Sequence, residues 1–136
     1  DLESCQRRAQ LVRDVAQQAP LRIDQCLQSL GHAVEVAGGI SHGAAVAVGM
    51  VAAGHVGERT VGFERRIEQE QLIAALGLPT RSPNVERAEI VRLMALDKKR
   101  DAGGIRFVVL EDFGVPRVVH PDDATVRDSL HAIGID

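Results

Sequence analysis

The chain has no tryptophan and no tyrosine, and its three phenylalanines bring the aromatic share to only 2%. A core made from it must be Leu, Ile, Val, Ala and Gly, which suits closely packed helices. Cysteine is almost as scarce. Cys5 and Cys26 have no C-x-x-C spacing and read as reduced, buried thiols, which points to a cytoplasmic protein. No apolar run is long enough to span a bilayer, and no secretory pattern is present. Neither sign of charge dominates: 16 basic against 19 acidic residues give a net charge of −3, with the signs interspersed. There is thus no electrostatic case for nucleic acid or an anionic membrane as partner. Repeats and low-complexity tracts are also missing. What remains is an ordinary globular balance, 45% apolar and 26% charged, over a length that makes one domain, residues 1–136.

Helical periodicity runs through most of that length. Leu2, Cys5, Ala9, Val12 and Ala16 recur at spacings of three and four, so an amphipathic helix is predicted up to the break at Pro20. A second helix is predicted over 21–37, with Ile23, Cys26, Leu27, Leu30 and Val34 on one side and Gly38 and Gly39 ending it. A third begins after Ser41 as N-cap and reaches Val56. It is apolar nearly all round, which predicts a place at the domain centre, and its Gly43, Gly49 and Gly54 would let neighbouring backbones come close. Further helices are expected from Phe63 to Leu76 and from Val85 to Lys99, separated by a loop rich in Pro, Ser and Asn. Residues 105–110 and 116–120 read as two strands of a hairpin around EDFG. A last helix is capped by Asp122, with Val126, Leu130 and Ile133 facing inward. The fold class is mainly α: a helical bundle with one small β-hairpin.

Five short stretches carry more than secondary structure: SLGHAVE (29–35), HGAAVAVGM (42–50), GLPT (77–80), DKK (97–99) and IRFVVL (105–110). In this order and at these separations the chain resembles the C-terminal domain of 3-dehydroquinate synthase and related sugar phosphate cyclases. That family's pattern runs G-H-T-x-G-H-A-I-E, H-G-E-A-V-A-x-G-M, GLPT, D-K-K and R-F-V-L-L. Iron-dependent alcohol dehydrogenases share the general fold, but the motifs favour the first family. The resemblance implies an enzyme that uses NAD and a divalent metal, usually zinc, to turn a sugar phosphate into a carbocycle with loss of phosphate. NAD is held there by an N-terminal α/β domain. No Gly-rich strand-to-helix turn occurs in the present sequence, so no cofactor is expected for the isolated chain.

The resemblance also assigns roles residue by residue. His42 stands at a metal-binding histidine. The other metal histidine falls on Gln28, whose neutral amide is a poor zinc ligand. The third ligand, a glutamate, is expected before Asp1. The glutamate after H-G is replaced by Ala44, three residues beyond the Ser41 cap, which also removes a capping box. Gln25 takes the place of an asparagine, and Arg8 that of a substrate-contacting lysine. His32 matches a histidine near the substrate phosphate and is the candidate catalytic residue; its ordinary structural alternative is a partly buried histidine bonded to a carbonyl or to Glu35. Lys98 and Lys99, in the D-K-K position, are candidate phosphate ligands, or simply cations at a helix C-terminus. His42 alone would be a vestigial metal ligand, since protein zinc sites supply three or four. His55, His120 and His131 receive no role.

Three functions follow as expectations. The chain is a degenerate, non-catalytic relative serving as a binding or partner subunit; or half of a split NAD- and zinc-dependent cyclase completed by another chain; or a metal-free enzyme using the old cleft on another substrate. A homo-oligomer or a protein partner is expected to cover the face bearing Gln28, His32 and His42. Val48 is taken as a probe of that face.

Overall fold

The computed structural model of the chain describes residues 2–3, 6–7, 22–98 and 105–136, without the side chains of 22–29 and 96–98. Its elements are α1 (Arg22–Gly38), α2 (His42–Thr60), α3 (Arg66–Ala75), α4 (Arg87–Lys98), β1 (Phe107–Asp112), β2 (Val115–Val119) and α5 (Asp123–Ala132). The expected helical bundle with one small hairpin is the observed architecture. The stretch expected as the first helix lies largely outside the described residues; Leu2, Glu3, Gln6 and Arg7, which are described, are helical. Among the described residues no helix is long and apolar enough to cross a membrane.

The centre of the fold is α2. Ser41 holds extended backbone and its hydroxyl accepts from the Ala44 N–H at 3.3 Å, satisfying one of the free donors of the first turn. From there Ala45, Ala47, Val48, Val51, Ala52, Ala53 and Val56 are all buried. Helix α1 lies against it through Leu30, Ala33 and Val34, one face at spacings of three and four. The two backbones come close where glycine meets glycine: a Cβ on Gly49 would stand 3.7 Å from the Gly31 nitrogen. Gly43, also read as a close-approach position, has nothing within 4 Å of where a Cβ would be.

Helix α4 supplies Ile90 and Met94, four residues apart on one face, and packs on α1. Helix α5 is capped by the Asp122 carboxylate, which accepts from the Thr125 N–H at 2.8 Å. It buries Val126 and Leu130, followed by Ile133 and Ile135. Phe107 and Val109 of β1 face α2 between these layers. The hairpin is antiparallel, pairing Phe107 with Val119 and Val109 with Arg117. An irregularity between Leu110 and Asp112 precedes a two-residue turn in which Gly114 takes φ +78°. Strand β1 therefore runs two residues further than the expected end at Leu110.

Two expectations need correction. The helix expected from Phe63 begins only at Arg66. Phe63 is buried before the helix, after Gly62 with φ +73°, and meets the Phe113 ring edge-on at a centroid distance of 6.0 Å. Val48 is the second. It is 0% exposed, and no residue from Ala44 to Val56 is exposed. Helix α2 is covered by its own chain, so Val48 reports on the core and cannot probe an outer face.

This packing separates two neighbours on α4. Ile90 is 0% exposed and Val91 is 47% exposed. Ile90→Ala is expected to cost about 2–4 kcal/mol in denaturant unfolding, and Val91→Ala less than about 0.5 kcal/mol. Equal costs would mean that α4 is rotated from this arrangement.

Candidate functional site

The turn Gly39–Ser41 between α1 and α2 brings the two histidine motifs together. Gly39 takes φ +63°, and its N–H donates to the Glu35 carbonyl, closing the helix end. The next helix starts three residues later at His42. As a result the Glu35 side chain, in the last turn of α1, reaches the first residue of α2. His42 Nδ1 donates to Glu35 Oε2 at 3.0 Å. In the neutral ring this leaves Nε2 as the lone pair open to a ligand, the orientation that a carboxylate behind a metal-bound histidine provides. Both side chains reach water: His42 is 70% exposed and Glu35 35%. The pair is therefore weak as a source of stability and better understood as fixing a ring.

His32 is not bonded to Glu35, as one reading of the sequence expected, and it is not partly buried. It is exposed, and the Glu35 carboxylate is turned to His42 instead. The physical reason lies in the short turn, which carries the His42 ring to the carboxylate. Gln28 lies on α1 one helical turn before His32, but its side chain is outside the description, as are those of Gln25 and Cys26. Lys98 ends α4, with its side chain likewise outside; Lys99, Arg8 and Cys5 are not among the described residues. The structure thus brings His42 and Glu35 into contact, with His32 a turn away on the same helix as Glu35.

The described side chains do not by themselves make up a zinc ligand set. Among the described residues no group of three or more His, Cys, Asp or Glu could hold a metal ion. His42 and Glu35 supply one oriented imidazole and its carboxylate, whereas zinc takes about four ligands. The amide of Gln28 adds no anionic or imidazole donor. For NAD, the only sheet among the described residues is the antiparallel hairpin, which offers no parallel βαβ crevice.

A second polar cluster, which sequence reading passed over, lies between α2 and α3. Arg66 is only 18% exposed. Its Nε donates to Glu58 at 2.8 Å, and its Nη1 donates to Glu70 and to His55 Nε2, each at 3.3 Å. Burial, and after it the Arg66 charge, lower the His55 pKa; Glu70 and Glu58 oppose this. Beside them, buried Gln69 occupies the space over Gly54, where a Cβ would stand 2.5 Å from its Oε1. The i, i+4 spacing of Arg66 and Glu70 was legible, but their meeting with His55 depends on how α3 docks.

The comparisons agree with this architecture. The family model described as 3-dehydroquinate synthase C-terminal matches residues 3–100. A curated 3-dehydroquinate synthase from Synechococcus sp. is 40% identical over 139 residues, which is 96% of this chain and 38% of that protein. The chain belongs to the 3-dehydroquinate synthase C-terminal family, and it spans about 38% of the length of the curated relative.

The start of α2 can be tested directly. Ser41→Ala is expected to lower stability by about 1 kcal/mol through loss of the cap. Ala44→Glu, which puts a carboxylate at the positive end of the helix and completes a capping box, should add about 0.3–1 kcal/mol. The two changes should not be additive in a double-mutant cycle. Strict additivity would show that the Ser41 cap and position 44 do not cooperate.

Proposed function

We propose that this chain is a binding or partner form of the 3-dehydroquinate synthase C-terminal domain, in which the helical side of the cleft is kept without a competent metal centre. One observation carries the reading. The turn that joins the two histidine motifs sets His42 against Glu35 at 3.0 Å, while Gln28 and Ala44 stand at the positions where the family pattern has a metal histidine and a glutamate. These replacements lie inside the family-matched segment. They leave one oriented imidazole, His42, where the family pattern has a ligand set. His32, exposed on α1, is the described residue there that could meet an anionic group. In this reading a second copy or a protein partner covers the face around His32 and His42.

A second reading is half of a split NAD- and zinc-dependent cyclase, with the remaining ligands and the dinucleotide-binding half supplied by another chain. The 40% identity over almost the whole chain favours it. Gln28 opposes it, because a separate half would not restore an imidazole at that position. The third reading, a metal-free enzyme working on another substrate, shares the oriented His42 and has no observation of its own.

Metal analysis separates the first two. The purified, tag-free chain is expected to keep no stoichiometric zinc after dialysis. Gln28→His should raise zinc affinity about tenfold or more, if it restores an imidazole to the face of His32 and His42. Phosphate release from the family's sugar phosphate, with NAD and zinc added, should stay at background for the unmodified chain. One equivalent of retained zinc, or turnover on addition of a dinucleotide-binding half, would replace the first reading with the second.

A further inference from the structure

We propose that His55 is a proton-sensitive latch that holds α3 against α2: the neutral ring accepts a hydrogen bond from Arg66, and protonation releases it. The argument starts from what each group can do. A guanidinium only donates, so His55 Nε2, 3.3 Å from Arg66 Nη1, is the acceptor and carries no proton. Arg66 ties the two helices together here, joining His55 and Glu58 on α2 to Glu70 on its own helix. Adding a proton to Nε2 turns the acceptor into a donor and sets two cations against each other in a half-buried place.

Helix α3 is also held at its start, where Arg65 pairs with Asp112 of β1 and lies over the Phe113 ring. It is ten residues long, and Arg65 at its N-cap makes no side-chain capping bond. Its buried residues are Gln69 and Ile73. Gln69 lies over Gly54, directly beside the latch. Loss of the Arg66 bond therefore acts on one of the two places where α3 is buried.

The charges that act on the ring are Arg66 and Glu70 from α3 and Glu58 from α2. The two carboxylates favour the protonated ring and could take its new N–H. Burial and Arg66 outweigh them, since the His55 pKa is lowered. On the other elements against α2, Glu35 of α1 pairs with His42, Asp112 of β1 with Arg65, Glu111 of β1 with Arg117, Asp128 of α5 with Arg59, and His131 of α5 with Asp136; His32 of α1 and Asp123 and Arg127 of α5 are not among the charges that act on the ring. The sign follows. With α3 released, His55 titrates near the ordinary value of about 6.5. The docked state, with its lower pKa, is favoured fully above that value and loses its advantage as pH falls towards the lowered one.

Amide hydrogen exchange on the whole 136-residue chain tests this, corrected for intrinsic rates and compared with Leu130 of α5. Between pH 7.5 and 5.5, protection at Gln69 and Ile73 should fall about threefold or more relative to Leu130. His55→Gln keeps an acceptor for Arg66 and cannot take the proton, so its α3 protection should hold over the same range. An equal fall in this variant, or no relative fall in the unmodified protein, would overturn the proposal. If the variant does not fold, the titration of the unmodified protein decides. The His55 ring and the Gln69 and Ile73 amides should then share one midpoint below 6.5, and separate midpoints would overturn the latch.

Discussion

Burial of α2 on every side is the constraint from which the rest of the structure follows. From Ala44 to Gly57 this helix is Ala, Val and Gly except for Met50 and His55, which leaves little to face water, so the other elements have to be arranged round it. Small side chains set the distances. Gly49 and Gly31 let α1 approach backbone to backbone, and Gly57 has Val109 and the Leu110 carbonyl 3.2 Å from where a Cβ would be. With α1 on one side and β1, α3 and α5 on others, α2 is enclosed by its own chain. The scarcity of aromatic residues suits this arrangement, because a large ring would hold these backbones apart.

The same helix fixes the chemistry of its N-terminus. Because α1 ends in a tight turn, Glu35 and His42 meet although seven residues separate them. That contact orients one imidazole without supplying its co-ligands. Capping by Ser41, closure of the turn at Gly39 and the packing beneath are backbone and core properties. They do not depend on what stands at positions 28 or 44. Family membership and catalytic competence are therefore separate conclusions here, and only the first rests on the match over residues 3–100.

Local rules made much of the fold legible. Ser41 and Asp122 were recognisable as caps because a short polar side chain stands just before an apolar-periodic run, and both bond as such a residue should. The inward positions Leu30, Val34, Val126, Leu130 and Ile133 followed from spacing alone. What failed depended on tertiary placement. Phe63 drew the start of α3 too early, since an apolar residue packed in the approach to a helix looks like one in its first turn. Val48 was taken for a surface residue on the premise that a missing neighbour leaves an apolar helix bare, when the chain's own elements cover it. His32 and Glu35 look paired by their i, i+3 spacing, yet the turn delivers His42 to that carboxylate. The His55–Arg66 contact bridges two helices and leaves no trace in local spacing.

The enclosure of α2 can be measured without assuming any function. Amide exchange of Val48, Val51, Ala52 and Val56 in the purified chain reports whether this helix opens only when the whole domain unfolds. These amides should be the slowest in the protein, and their opening free energy should equal the global unfolding free energy from denaturant titration. Exchange through openings well below the global value would contradict the account, because it would mean that the chain does not enclose its central helix.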